Sequence, residues 1–246
     1  MRILGIPVAR LTSSDAMDRI AALLDDDRPS LVAYVNAHAL DLAWDDPGYH
    51  EVLRGADLVL NDGIGVALAA RMRGSRFPEN LNGSDFNPRL LELAAERGAR
   101  VFLLGAAGGI AERCAARLRQ QAPSLQIVGT RDGYFGDAAS DEIVGAVRRS
   151  RADVLLVAMG NPRQEEWLAE HLGATGCRLG VGVGAFFDFT VGAQRRAPGW
   201  MNKLGIEWVY RLIRDPARMW RRYVLGNPRF LLRAWRTRRE ERDPPG

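Results

Sequence analysis

The sequence predicts an α/β fold with a mainly parallel sheet, followed by a helical C-terminal appendage. Apolar runs of strand length alternate with segments of helical periodicity along residues 1–194. The runs VFLL, VLLVA and VGVG lack polar alternation, which is typical of strands covered by helices on both faces. Residues 195–246 differ, because they hold thirteen arginines and one lysine against five acids in a chain whose net charge is +4. We therefore predict a Rossmann-like body and a basic, aromatic tail.

The elements of the body are predicted in a regular order. Thr12, Ser13 and Ser14 are good N-cap residues before the first helical pattern. Strands are predicted at residues 31–35, 57–60, 101–104, 125–128, 154–158 and 178–183. Between them, helices are predicted in a stretch that ends at Arg54 and at residues 65–73, 85–97, 110–121, 141–149 and 164–171, with Ser84 as a cap. No repeat or linker interrupts this pattern, so residues 1–194 are predicted to form one domain.

Residues 195–246 are predicted to form a separate helical appendage. Asp215-Pro216 and Asn227-Pro228 each place a capping side chain before a proline, which predicts three short helices with breaks before 216 and 228. Arginines beside tryptophans suit a surface that meets phosphate next to an apolar layer. A membrane surface and a nucleic acid both have that chemistry, so a nucleic-acid-binding α/β protein remains an alternative at this point.

Composition makes several other classes of protein improbable. Cys114 and Cys177 are far apart and flanked by apolar sequence, which predicts buried thiols, and no histidine spacing forms a metal site. No apolar run approaches the roughly 18 residues that a membrane-spanning helix needs. We therefore expect a cytoplasmic protein with no metal and no cofactor.

Glycines and polar residues follow the predicted strands at six points. They are Asn36, the segment at 61–63, Gly105, the segment at 132–134, the pair at 160–161, and Gly184. Ligands of open parallel sheets bind beyond the carboxyl ends of the strands. One such exit could be a turn or a helix cap, but six together favour a binding site. The glycine turn at 105–109 lacks the lysine of a P-loop and the spacing of a dinucleotide fingerprint, which argues against a nucleotide-dependent oxidoreductase.

Asp62 is the carboxylate best placed for proton transfer. It follows the apolar run Leu58-Val59-Leu60 and precedes Gly63, which lets a substrate approach the backbone. The alternative is that Asp62 caps the helix that begins near Gly65. Gln164 lies where a helix begins after another strand, and it can turn toward the strand ends.

Six segments carry a resemblance to a known family: NDGIGV, GSD, VFLLG, GTRDGYF, GNPRQEEW and GAQRRAPGWMNKLGIEWVYRL. With these segments in the family's order, the chain resembles the WecG/TagA/CpsF glycosyltransferases nearly end to end. The resemblance implies a metal-independent, inverting hexosyltransferase that moves a sugar from a UDP-sugar to a sugar on a polyprenyl diphosphate. It also implies peripheral binding to the inner face of the bacterial cell membrane through residues 195–246, in cell-surface polysaccharide or teichoic acid synthesis.

The strand exits and the resemblance together predict the residues of the site. The predicted catalytic residues are Asp62, Arg214, Arg218 and Arg221; the substrate-binding residues are Tyr34, Asn36, Gly63, Asn80, Asp85 and Gln164; and the nucleotide-binding residues are Gly105, Asp132, Gly133, Tyr134, Gly160, Asn161 and Gly184.

Two residues depart from the family pattern. Many members have threonine at the position of Tyr34 and arginine at that of Asn80, so N-acetylmannosamine, glucose and a uronic acid all remain open as the donor sugar. Arg236, Arg238 and Arg239 are predicted to contact lipid headgroups alone. A homo-oligomer that covers the apolar parts of the tail away from the membrane is a further expectation.

Overall fold

The centre of the protein is a six-stranded parallel sheet. The computed structural model describes residues 1–194, 197, 201 and 207–238, without the side chains of Asp137, Glu207, Arg211 and Arg218. A short antiparallel pair, β1 (Arg2–Ile3) and β2 (Ile6–Pro7), precedes the sheet. The sheet strands are β3 (Ser30–Val35), β4 (Leu58–Asn61), β5 (Arg100–Gly105), β6 (Gln126–Arg131), β7 (Val154–Ala158) and β8 (Leu179–Gly182), in the order β4-β3-β8-β7-β5-β6. The prediction of a parallel α/β sheet is confirmed.

Helices cover both faces of the sheet. The helices of the body are α1 (Ser13–Asp25), α2 (Ala37–Asp45), α3 (Pro47–Gly55), α4 (Ile64–Met72), α5 (Gly83–Glu96), α6 (Ile110–Gln121), α7 (Ser140–Ser150), α8 (Arg163–Thr175) and α9 (Phe186–Thr190), with a 3₁₀ turn at Asp137–Ala139. Alternate strand residues point to opposite faces. Val32 and Leu156 pack with α1, α5 and α6, whereas Ala33 and Val157 pack with α2, α3 and α8. The buried strands therefore lie between two separate apolar layers.

The order of the strands creates a crevice at the carboxyl edge of the sheet. β3 and β4 extend the sheet in one direction and β5 and β6 extend it in the other, with β8 and β7 between them. In parallel sheets of this kind, ligands bind where the direction of winding reverses. Tyr34 at the end of β3 and Gly182 at the end of β8 therefore lie at the expected place for a site.

Helix caps explain several boundaries and correct one prediction. Thr12 caps α1 in a capping box with Asp15, as its sequence predicts. The predicted cap of α5 at Ser84 is wrong, because Asn82 accepts the hydrogen bond from the backbone N–H of Asp85. The predicted helical stretch that ends at Arg54 is two helices, since Asp46 and Pro47 begin α3 after α2 has ended.

The described part of the tail is helical. Its elements are α10 (Glu207–Arg214), α11 (Pro216–Trp220), a π-helical segment (Arg221–Gly226) and α12 (Asn227–Thr237). The predicted break before 216 is confirmed at Asp215. The predicted break before 228 is wrong, because Gly226 and Asn227 both have helical backbone angles and the π-helical segment leads directly into α12.

The last helix packs against the body. Phe230 and Ala234 are fully buried, and α12 contacts α2 and α4. Phe230 therefore belongs to the core and is unavailable to the apolar surface that the sequence suggests for the tail. On the same side of α12, Arg229 and Arg233 both donate to the buried carboxylate of Asp41 at 2.5–2.9 Å. The division into domains at 195 stays a prediction.

Candidate active site

A cavity of about 790 Å³ opens at the carboxyl edge of the sheet. Its walls come from the loops after β3, β4, β5, β6, β7 and β8, and its remaining side is formed by the π-helical segment and α12. The body therefore supplies the floor, and the tail helices complete the wall.

Most of the predicted site residues line this cavity. They are Tyr34, Asn36, Asp62, Gly133, Tyr134, Gly160, Asn161, Gln164, Gly184 and Arg221. Six others lie outside its lining: Gly63, Asn80, Asp85, Gly105, Asp132 and Arg214. The side chain of Arg218 is outside the part of the chain that the structure describes.

Asp62 lies where β4 ends, beside the end of β3. Its backbone N–H donates to the carbonyl of Val35 at 2.8 Å, which holds the Asp62 loop against the neighbouring strand. The cap position of α4 is occupied by Gly63, with a φ of 88°, and no side chain caps this helix. The alternative role of Asp62 as the cap of α4 is therefore wrong. The side chain of Asn80 also holds this loop, because its Oδ1 accepts a hydrogen bond from the backbone N–H of Gly63 at 2.8 Å.

Tyr34 is held by a buried hydrogen bond. Its hydroxyl donates to Oδ1 of Asn87 at 2.7 Å. Burial, and then the charge of Asp62, raise the pKa of Tyr34 far above its ordinary value, so the phenol stays protonated. Nδ2 of Asn87 is buried without a hydrogen-bond partner among the described residues, and it lies 3.4 Å from the place that a Cβ of Gly83 would take. Because Gly83 lines the cavity without a side chain, this polar pair lies close to the cavity wall.

Asn36 caps the helix that begins beside Asp62. Its Oδ1 accepts from the backbone N–H groups of His38 and Ala39 at 3.0 and 3.1 Å. The partial positive charge of a helix N-terminus is therefore directed at the cavity. His38 also lines the cavity; burial first, then the charge of Arg222, lower the pKa of this histidine to about 4. Its imidazole is therefore neutral at pH 7.

Two of the predicted glycines contribute through close packing. Gly105 has a φ of 131°, and a Cβ there would lie 2.4 Å from the carbonyl oxygen of Ala158 on β7. A Cβ on Gly133 would lie 2.9 Å from Cα of Gly105. Asp132 accepts from the backbone N–H of Tyr134 at 3.1 Å, and Asp85 lies in the exposed first turn of α5. Gly133 lines the cavity, whereas Gly105, Asp132 and Asp85 lie outside its lining.

The arginines at the cavity differ from the set that the sequence suggests. Arg221, Arg222 and Arg229 line it, together with Arg163 at the start of α8, whereas Arg214 is exposed away from it. The sequence prediction also missed Asp41 and Asp188 in the lining. One signal was available, because Asp41 and Asp45 on one helix have the same spacing of four residues as Arg229 and Arg233 on another.

The described residues contain no group of three or more His, Cys, Asp or Glu side chains that could hold a metal ion. The two cysteines are buried thiols, as predicted. The charged side chains in the cavity lining are those of Asp41, Asp62, Asp188, Arg163, Arg221, Arg222 and Arg229.

Glu165 is a buried carboxylate just behind the cavity floor. Burial is the largest cause that raises its pKa, from 4.5 to about 7. A carboxyl group whose pKa is raised on folding stabilises the folded state most below its unfolded value, and that contribution falls as the pH rises from 4.5 to 7.

We therefore compare the unfolding free energies of wild type and Glu165→Gln at each pH. Between pH 4.5 and 8, the value for wild type should fall relative to that of the variant by up to about 3 kcal/mol. Urea denaturation at four pH values measures the difference. Glu170→Gln, on the exposed side of the same helix, is the control for replacing a surface carboxylate. A pH-independent difference for Glu165→Gln would contradict the assignment.

The sequence profile of the glycosyl transferase WecG/TagA/CpsF family matches residues 1–244. The chain belongs to this family. Membership in this family identifies the protein as a glycosyltransferase. The two alternatives, a nucleic-acid-binding protein and an oxidoreductase, are therefore set aside.

Two curated relatives align with most of this chain. An N-acetylglucosaminyldiphosphoundecaprenol N-acetyl-beta-D-mannosaminyltransferase of Bacillus subtilis strain 168 is 31% identical over 209 residues, which are 85% of this chain and 80% of that protein. A protein of the same name from Bacillus spizizenii is 32% identical over 208 residues, 85% of this chain and 79% of the relative.

Proposed function

We propose that this glycosyltransferase moves a sugar from a UDP-sugar to a sugar carried on a polyprenyl diphosphate, without a metal ion and with inversion at the anomeric carbon. The names of the two relatives support N-acetylglucosaminyl diphosphoundecaprenol as the acceptor and N-acetylmannosamine as the transferred sugar. Glucose and a uronic acid are the other donor sugars to test, because Tyr34 and Asn80 depart from the family pattern.

The observation that carries the proposal is that a carboxylate of the body and arginines of the tail line one cavity. Asp62 lies where β4 ends, and Arg221, Arg222 and Arg229 come from the π-helical segment and α12. A transfer between two sugars needs a base for the acceptor and positive charge for the departing diphosphate. Both groups are present in this cavity.

Asp62 is the base in the proposed mechanism. It takes the proton of the acceptor hydroxyl while that oxygen forms a bond to the anomeric carbon of the donor. The bond between the anomeric carbon and the diphosphate oxygen breaks on the opposite face, and its electron pair leaves with UDP. One displacement inverts the configuration of that carbon.

The arginines and the helix N-termini stabilise the leaving diphosphate. Guanidinium groups bind phosphate oxygens with two parallel hydrogen bonds, and their charge-assisted bonds are stronger than neutral ones. The N-termini of α2 and α8 add partial positive charge at the same edge of the sheet. Neutral His38 adds a ring that can accept or donate a hydrogen bond beside these charges.

The direct test is a transfer assay with a synthetic polyprenyl diphosphate N-acetylglucosamine acceptor. UDP-N-acetylmannosamine, UDP-glucose and a UDP-uronic acid are compared in the presence of EDTA and of Mg²⁺. We expect one donor to be used at equal rates in both conditions, and NMR of the product should show an inverted anomeric centre. Dependence on Mg²⁺, retention of configuration, or no transfer from any UDP-sugar would overturn the proposal.

Exposed apolar side chains of the tail support binding to a membrane surface. Trp220, Val224, Leu225, Leu232 and Trp235 are all at least 42% exposed. Arg221 stacks on Trp220 and Arg238 stacks on Trp235, so guanidinium groups lie beside the indoles. Rings next to cations suit the boundary between lipid headgroups and acyl chains. Among residues 1–194 and 207–238, no helix is long and apolar enough to cross a bilayer.

The double variant Trp220→Ser/Trp235→Ser tests this surface. We expect its binding to phosphatidylglycerol vesicles to weaken about tenfold or more, because both indoles lose apolar burial in the interface. Vesicle sedimentation gives the measurement. Val128→Ser removes an exposed apolar residue from β6, at the far edge of the sheet, and should bind as wild type does. Equal binding by the double variant would show that these indoles do not meet the lipid.

A further inference from the structure

Glu165 is a fully buried carboxylate that the proposed chemistry does not use. It lies in the first turn of α8, behind the cavity floor and outside the cavity lining. Burying a charge is costly unless the charge is hydrogen bonded, and an apolar residue would fill the same volume at a lower cost. The contacts of this carboxylate therefore indicate what it does.

The carboxylate receives hydrogen bonds from two amides of the cavity floor. Its Oε1 accepts from Nδ2 of Asn161 at 2.7 Å and from Nε2 of Gln164 at 2.6 Å. On its other side, Oε2 accepts from the hydroxyl of Tyr49 on α3 at 3.3 Å. Burial, and then the charge of Glu165, raise the pKa of Tyr49, so this phenol stays a donor.

The contact with Glu165 decides which end of the Gln164 amide faces the strands. With its nitrogen turned to the carboxylate, its Oε1 accepts from the backbone N–H groups of Gly160 and Gly184, each at 3.1 Å. One oxygen therefore joins the loop after β7 to the loop after β8. A reversed amide would direct its own N–H groups at these two donors, and both glycine N–H groups would lose their acceptor.

The same contact orients Asn161. Its Nδ2 faces Glu165 and the hydroxyl of Tyr49, at 2.7 and 3.3 Å. The opposite end of this amide, Oδ1, is then the end available to an N–H or O–H group of a ligand. Asn161, Gln164, Gly160 and Gly184 all line the cavity.

We propose that Glu165 is a positioning residue for the sugar-nucleotide donor, which fixes the Asn161 and Gln164 amides and, through Gln164, the two glycine loops of the cavity floor. This inference rests on the proposed function, since it takes the donor to be a UDP-sugar. Both amides donate to the same oxygen, Oε1, and these bonds are strongest when the carboxylate is ionised. The other titratable group that contacts it is Tyr49, which keeps its proton.

The test measures donor KM and kcat at pH 8 for wild type, Glu165→Gln and Glu166→Gln. Glu165→Gln keeps the shape of the side chain but removes the charge that orders the amides. We expect donor KM to rise about tenfold, a loss of about 1.4 kcal/mol of binding, with kcat within about threefold of wild type. Glu166→Gln removes the neighbouring carboxylate, and both constants should stay as in wild type. The affinity for UDP, measured by calorimetry, should weaken in parallel with KM.

A double-mutant comparison separates positioning from folding. In the background Asn161→Ala/Gln164→Ala, adding Glu165→Gln should change donor KM less than about twofold, because the groups on which Glu165 acts are gone. A purely structural role would lower the folded fraction and the apparent kcat equally in both backgrounds, and that result would overturn the inference. An unchanged KM for Glu165→Gln would also overturn it.

Two further readouts keep the test decisive. If Glu165→Gln does not fold, Glu165→Asp keeps the charge but draws it away from the amides, and it should raise donor KM; an unchanged KM would refute the positioning role. Turnover by wild type and Glu166→Gln establishes the proposed function in the same experiment. If only the positioning role is wrong, wild type and Glu166→Gln still turn over the UDP-sugar. If the proposed function is wrong, neither protein shows turnover.

Discussion

Asp62→Asn is expected to lower kcat for sugar transfer by about 10²–10⁴-fold, the usual contribution of a general base. Asparagine has the same shape but cannot take the proton of the acceptor hydroxyl. The backbone contact of this loop, from the N–H of Asp62 to the carbonyl of Val35, does not involve the side chain and should survive. The measurement is the rate of transfer at saturating donor and acceptor, with UDP affinity measured in parallel by calorimetry.

Asp188 provides the competing assignment. It lies on α9 and also lines the cavity. We expect Asp188→Asn to keep kcat within about tenfold of wild type, which is less than the loss expected for a base. Asp62→Asn should bind UDP as wild type does and unfold at the same urea concentration. If Asp62→Asn turns over normally while Asp188→Asn does not, the base is Asp188.

The sheet and the position of the cavity could be predicted because they follow from local signals. Unbroken apolar runs such as VLLVA are buried on both faces, and polar residues where such runs end collect at one edge of a parallel sheet. Asp62, Gln164 and Gly184 come from three different strand exits, and the fold brings all three to one cavity.

The arrangement of the tail depends on contacts that local patterns do not carry. Asn227-Pro228 resembles a helix start, yet Asn227 is helical because the buried side chains Phe230 and Ala234 hold the following turns against α2 and α4. In the π-helical segment the backbone hydrogen bonds span five residues instead of four. Every residue after this segment is therefore rotated about the helix axis relative to its position in a regular α-helix. Of the arginines predicted from the family resemblance, Arg221 lines the cavity and Arg214 does not, and Arg222 and Arg229 line it in addition.

Asp41→Asn is expected to weaken the docking of α12, with a loss of about 2–4 kcal/mol of unfolding free energy. The Asp41 carboxylate is buried and accepts from Arg229 and from Arg233, at 2.5 and 2.7 Å for the shortest contacts. Asparagine keeps the volume but turns one acceptor into a donor, which then faces the guanidinium group of either Arg229 or Arg233. Because Arg222 and Arg229 reach the cavity from this part of the chain, transfer activity should fall together with docking.

The neighbouring carboxylate is the matched control. Asp45 also contacts Arg233, at 2.7 Å, but about half of its side chain is exposed, so Asp45→Asn should cost less than about 1 kcal/mol. Urea denaturation gives the two stabilities, and hydrogen exchange shows whether protection is lost in α12 before the sheet.

A double-mutant cycle between Asp41→Asn and Arg233→Met isolates the contribution of the ion pair from that of the packed Phe230. We expect the two losses to be clearly less than additive, because each variant removes the same interaction. Equal effects of Asp41→Asn and Asp45→Asn would mean that apolar burial alone holds α12. The arginines would then reach the cavity without the help of the buried carboxylate, and their position would depend on Phe230.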